Sequence, residues 1–91
     1  MATVAVRHQV ADYDSWRVAY DEHGVVRKEH GCTGDRVLRD ETNPNELLIL
    51  TFWPALSNAH AFASDPSLPE VMARAGVIGA PRIEIYEEAG N

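Results

Sequence analysis

The chain has 91 residues, 45% of them apolar, and a formal net charge of −6 from eight Lys and Arg against fourteen Asp and Glu. That length allows one domain, spanning 1–91, with a core thin enough that burial against a second copy would add to it. The basic residues Arg7, Arg17, Arg27, Lys28, Arg36, Arg39, Arg74 and Arg82 are scattered, which argues against nucleic acid and anionic membrane as partners, since both require a concentrated positive face.

Cys32 is the only cysteine, so an internal disulfide and a Cys-rich zinc site are both ruled out. The chain enters an alternating strand without a basic leader or an apolar run of signal-peptide or membrane-spanning length. The expectation is a soluble cytoplasmic protein.

From Thr3 to Val10 the residues alternate, with Val4, Val6, His8 and Val10 on one face of a first strand. Asp12 follows as a helix N-cap with Asp14 in the first turn, and Arg27, Lys28 and His30 crowd the last turn before Gly31, predicting a helix over 13–30. Gly24 is its weak point. Gly34 to Glu41 and Glu46 to Trp53 read as two strands joined by the turn Thr42-Asn43-Pro44-Asn45. A short helix is expected from a Ser57 cap to Pro66, and another from Ser67, where Ser67-Leu68-Pro69-Glu70 has the form of a capping box, to Gly76. Pro81 to Glu88 completes a β-α-β-β-α-β order with the second helix broken in two.

The third strand, Leu47-Leu48-Ile49-Leu50-Thr51-Phe52-Trp53, is apolar on both faces, whereas the second and fourth carry Asp35, Arg36, Arg39 and Asp40, or Arg82, Glu84, Glu87 and Glu88. Central strands are the apolar ones, so the pattern predicts an α+β, ferredoxin-like antiparallel sheet ordered 4-1-3-2. One helical layer covers one face of such a sheet. The second face of the third strand would leave a large apolar patch in water, and the expected cover is a second copy, two sheets packed face to face about a two-fold axis.

The run Val6-Arg7-His8-Gln9-Val10-Ala11-Asp12-Tyr13-Asp14-Ser15-Trp16, with Tyr20 and His23, then Asn43-Pro44-Asn45-Glu46, Ala59, Phe62, Ala63, Leu68, Met72, Ala75-Gly76-Val77 and Pro81, spans nearly the whole chain. In these residues the sequence resembles the dimeric α+β-barrel superfamily of the antibiotic-biosynthesis monooxygenases and stress-responsive barrel proteins. The resemblance is closer to a small cyclase- or monooxygenase-like group of about ninety residues. It implies a homodimeric α+β barrel with a pocket in each subunit between sheet and helices. Across the superfamily such pockets serve cofactor-free oxygenation, polyketide cyclisation, isomerisation or, in some branches, haem binding. His8, Tyr13, Trp16 and His23 fall where the motif is most recognisable, while His30, His60 and Cys32 fall outside it.

The chemistry expected of these residues is proton transfer. A neutral imidazole at His8, its pKa lowered by burial, can take a proton from a phenol or enol. His23 shares a helical stripe with Trp16 and Tyr20 and is the second candidate, and Tyr20 can donate a hydrogen bond to an oxyanion. Trp16, Trp53, Phe62 and Met72 would line a cavity for a flat aromatic ligand. The plain structural alternative makes His8 and His23 buried hydrogen-bonding groups, the aromatics ordinary core, and the protein a ligand-binding or structural dimer without chemistry. Arg7 and Arg17 could hold a substrate carboxylate, but Arg7 points to the opposite strand face from His8, and an intersubunit salt bridge is the expectation. His23 and His30 lie about 10 Å apart on a helix, too far to share a metal. No cofactor is expected, with haem through His8 or His23 left open. Phosphate-cradling glycine loops and a Gly-x-Ser-x-Gly turn are absent, which removes nucleotide chemistry and serine hydrolysis. The function expected is a small cofactor-independent monooxygenase, cyclase or isomerase acting on an aromatic or polyketide-like molecule.

Overall fold

Alternation along the first strand sets the architecture. The computed structural model describes residues 1–90. In it β1 (Ala2–Val10) runs between β3 (Glu46–Trp53) and β4 (Val77–Glu87), with β2 (Gly34–Arg39) outside β3, all neighbours antiparallel. This is the 4-1-3-2 order expected of a ferredoxin-like fold, with the apolar strands central and the charged ones at the edges. Ala2, Val4, Val6, His8 and Val10 of β1 and Leu47, Ile49, Thr51 and Trp53 of β3 are buried on one face, under the helices. The intervening Leu48, Leu50 and Phe52 are only half-buried on the other face, with exposed Leu38 and Tyr86. Cross-strand partners share a face, so Leu38 opposite Leu48 and Tyr86 opposite Thr3 belong to this open side.

The first helix departs from the expected 13–30 span. It forms two pieces, α1 (Tyr13–Glu22) and α2 (Gly24–Glu29), meeting at His23. Asp12 caps α1 as expected, its carboxylate accepting from the Ser15 backbone N–H at 3.0 Å. The break falls beside Gly24, the residue of lowest helix propensity in the segment.

Two boundaries and one cap differ for local reasons. β2 ends at Arg39 because the Asp40 carboxylate accepts backbone N–H groups of Thr42 and Asn43, both at 3.0 Å, and closes a turn there. The next helix, α3 (Leu56–Ala63), starts from extended Ala55, whose carbonyl accepts from Asn58 and Ala59, so Ser57 lies exposed in the first turn and is not the cap. At α4 (Ser67–Arg74) no capping box forms. Asp65 accepts the Ser67 N–H at 2.8 Å, which frees the Ser67 hydroxyl for another partner.

β4 begins at Val77, four residues before the expected Pro81. Its pairing with β1 jumps from Arg7↔Arg82 to Gln9↔Ile78, so Gly79, Ala80 and Pro81 together stand opposite His8. Gly79 has φ +73°, a left-handed conformation that glycine adopts without strain, and Pro81 is tolerated because an edge strand need not donate there. A bulge therefore sits beside His8, the kind of irregularity that bends a strand away from its neighbour. Among the described residues no helix is long and apolar enough to cross a membrane.

Candidate functional site

The helical layer does not fill all the space over β1 and β3. A cavity remains, floored by Val6, His8, Ile49 and Thr51, walled by Trp16, Tyr20, His23 and Arg27, and closed by Phe62, Leu68, Val71, Met72 and Ala75. It is narrow, about 50 Å³, and about 480 Å³ counting the open space out to its mouth. Its lining is chiefly apolar and aromatic, with a few polar groups, as small-molecule sites are.

His8 is the polar group on the floor. It is 6% exposed, and neither Nδ1 nor Nε2 has a hydrogen-bond partner. Its only close ring neighbour is Trp16, edge-on at 5.8 Å between centroids. Burial lowers its pKa to about 4, so at neutral pH the imidazole is uncharged, with one nitrogen free to accept a proton. Buried polar atoms are nearly always paired, and an unpaired one costs about 1–3 kcal/mol. The exception falls on a residue that lines the cavity.

Trp16 stacks on Tyr20 at 4.8 Å, and the Arg27 guanidinium lies over the Tyr20 ring, 3.8 Å from its centre. The Tyr20 hydroxyl turns outward and donates to the Asp35 carboxylate on β2. Burial and that hydrogen bond both push its pKa up, against an opposing effect of Arg27. Tyr20 is thus a wall of the cavity whose proton is already committed to Asp35.

His23 is also buried, at the joint between α1 and α2, with Nε2 2.9 Å from the Ser67 Oγ at the start of α4. Burial, with the positive charge of Arg27, lowers its pKa. It therefore couples the first helix to the last while presenting its ring to the cavity. His30 lies outside, its Nε2 2.8 Å from Asp65 Oδ2.

The residues expected from the sequence are largely brought together: His8, Trp16, Tyr20, His23, Phe62 and Met72 all line the cavity. Trp53 does not. It is fully buried behind Phe62, stacked on it at 4.8 Å, and its indole N–H donates to Thr51 Oγ1 at 2.9 Å. Arg27 also lines the cavity but does not stand out in the sequence, because an arginine in the last turn of a helix reads as a partner of the helix dipole. Its spacing was the available signal: positions 16, 20, 23 and 27 make one stripe, with steps of four, three and four. Among the described residues no three His, Cys, Asp or Glu side chains converge as metal ligands.

No family model matches the chain, and no curated protein does. Solved structures match over nearly its full length. SnoaB, a cofactor-independent oxygenase from Streptomyces nogalater, superimposes with a TM-score of 0.78 at 11% identity, covering 99% of this chain and 94% of that one. An antibiotic biosynthesis monooxygenase gives 0.70 at 12% identity, covering 99% and 100%. Rv0793 from Mycobacterium tuberculosis gives 0.71 at 11% identity, covering 99% and 96%. The fold is that of the antibiotic-biosynthesis-monooxygenase-like proteins. At these identities the likeness is one of fold, and the chemistry has to be argued from the site.

Proposed function

We propose that this protein is a small cofactor-independent enzyme of the monooxygenase, cyclase or isomerase type, acting on an aromatic or polyketide-like molecule bound between sheet and helices. The observation that carries the reading is His8, a buried neutral imidazole with both nitrogens unpartnered on the floor of an aromatic-walled cavity. The fold it shares with a cofactor-independent oxygenase supports the same class. In the proposed mechanism His8 removes a proton from a phenol, enol or activated carbon acid, leaving a delocalised anion. In oxygenation that anion gives its electrons to dioxygen, one oxygen atom ending on the substrate and the other in water. In cyclisation or isomerisation it attacks a carbonyl of the same molecule or is reprotonated elsewhere. Trp16, Phe62 and Met72 hold the flat substrate, and His23 stands where it can polarise a substrate oxygen.

The working unit in this proposal is a homodimer joined through the open faces of the two sheets. Leu48, Leu50 and Phe52, with exposed Leu38 and Tyr86, form the patch that a partner sheet would cover.

The narrowness of the cavity, about 50 Å³, favours a second reading, a dimer that binds a small ligand without transforming it. A panel of phenols, anthrones and 1,3-diketones, followed by oxygen consumption and by absorbance, separates the two. Turnover that disappears in a folded His8→Ala variant supports the enzyme. Full activity in that variant removes His8 from the mechanism, and binding without turnover in the wild type supports the second reading.

A further inference from the structure

Arg27 is the least explained charge in the molecule. It is 8% exposed, yet the ion pairs among the described residues, Arg17–Asp21, His30–Asp65 and Arg82–Glu84, leave it out, and no side-chain hydrogen bond holds it. Its contact is the Tyr20 ring, at 3.8 Å. Asp21 and Asp35 share the hollow on its outer side, but Asp21 pairs with Arg17 and Asp35 accepts the Tyr20 hydroxyl. Buried guanidinium groups are ordinarily matched by a carboxylate or phosphate, because desolvation without a counter-charge is costly. Arg27 also lines the cavity floored by His8, as well as the outer hollow.

We propose that Arg27 is the anion-binding residue of this cavity, so that the ligand is a flat conjugated molecule carrying an oxyanion, either a carboxylate or an ionised enol or phenol oxygen, against the guanidinium. The proposal rests on the cavity being the ligand site and adds the class of ligand. His8 meets the edge of Trp16, Trp16 stacks on Tyr20, and Arg27 lies over Tyr20, so an aromatic pair links the two polar groups along the wall. A conjugated ligand spanning them could lose a proton at the His8 end while negative charge develops at the Arg27 end.

That division also answers a difficulty. With a pKa of about 4, His8 alone faces a phenol of pKa about 10 across roughly six orders of magnitude in equilibrium. A fixed positive charge at the oxygen lowers the ligand's pKa, and the ligand's negative charge raises that of His8, so both shifts close the gap.

The test compares 2-naphthoate with the uncharged 2-naphthamide, titrated into the full-length protein and followed by NMR through the Trp16 indole N–H. The wild type is expected to bind the naphthoate at least about tenfold more tightly, the yield of a charge-assisted hydrogen bond. Arg27→Met should abolish that preference and Arg27→Lys should keep part of it, with thermal melting confirming that each variant is folded. Should Arg27→Met not fold, the wild type decides: rising salt must weaken the naphthoate and leave the amide unchanged. Equal affinity for the two probes in the wild type, or a preference that survives in folded Arg27→Met, overturns the assignment of Arg27 while leaving the cavity as a ligand site. If neither probe moves the Trp16 signal, the cavity reading itself falls, and this inference with it.

Discussion

The two ends of the helical layer use the same side-chain types, histidine beside aromatic, to opposite effect. Around α3 the polar groups turned toward the core are paired: Trp53 donates to Thr51, the Thr51 hydroxyl reaches the Val4 carbonyl, His30 holds Asp65, and Asn58 donates to the His30 carbonyl. Over the middle of β1 His8 has no partner and Arg27 no counter-charge, although both are as buried as the core. Paired groups fix a structure, whereas unpaired buried ones are held at a cost that a ligand can repay. The difference marks one end as scaffold and the other as site.

The largest effect is expected in the scaffold. Trp53→Ala removes a fully buried indole together with the hydrogen bond it donates to Thr51, and chemical denaturation should show a loss of about 3–5 kcal/mol. His8→Leu exchanges an unpartnered polar ring for an apolar side chain, so the same measurement at neutral pH should show no loss of stability. A large loss in His8→Leu would place His8 with the scaffold.

Acid sharpens the contrast next. The folded pKa of His8, about 4, lies below the ordinary 6.5, so between these values the unfolded chain binds more protons than the native one. Stability is fully present above about 6.5 and falls as the pH drops toward 4, by on the order of 3 kcal/mol from His8 alone. His23, also shifted down by burial, acts in the same direction. Asp65, Asp12 and Asp40 are held below the ordinary carboxylate range by their hydrogen bonds, so their losses come at lower pH. His8→Leu should flatten the melting temperature between pH 6.5 and 4, and an unchanged slope would contradict the assignment.

The open sheet face and the surface pair come last. Leu50→Glu places a carboxylate in the proposed dimer patch, and sedimentation should report a monomer of unaltered fold. His30→Ala breaks the half-buried pair with Asp65 and should cost no more than about 1 kcal/mol in the same denaturation experiment.

Much of the fold was legible because it follows from periodicity. The doubly apolar third strand beside two charged ones dictated the 4-1-3-2 order, and Trp16, Tyr20 and His23 at steps of four and three had to share a face. The misplacements came from competition between local partners. The Ser67 hydroxyl was drawn away from capping by His23, forty-four residues distant, and Asp65 took the cap instead. Trp53 alternates onto the buried face just as His8 does, and only the stacking of Phe62 over it removes it from the cavity. Arg27 was hidden because its meaning lies in the absence of a counter-charge, which depends on every neighbour at once. The bulge opposite His8 was equally out of reach, since a strand expected to begin at Pro81 gave no sign that Val77 and Ile78 also pair with β1 on its far side.

Everything proposed for the site depends on His8 being a buried, uncharged imidazole that lines the cavity without a protein partner. An NMR pH titration of the ring carbons and protons of the four histidines, with His8→Leu to assign the signal, tests it without a substrate. His8 should titrate near pH 4. A His8 titrating at 6.5 or above would mean that a partner or solvent stabilises its charged form, and the account of the site built on it would not stand.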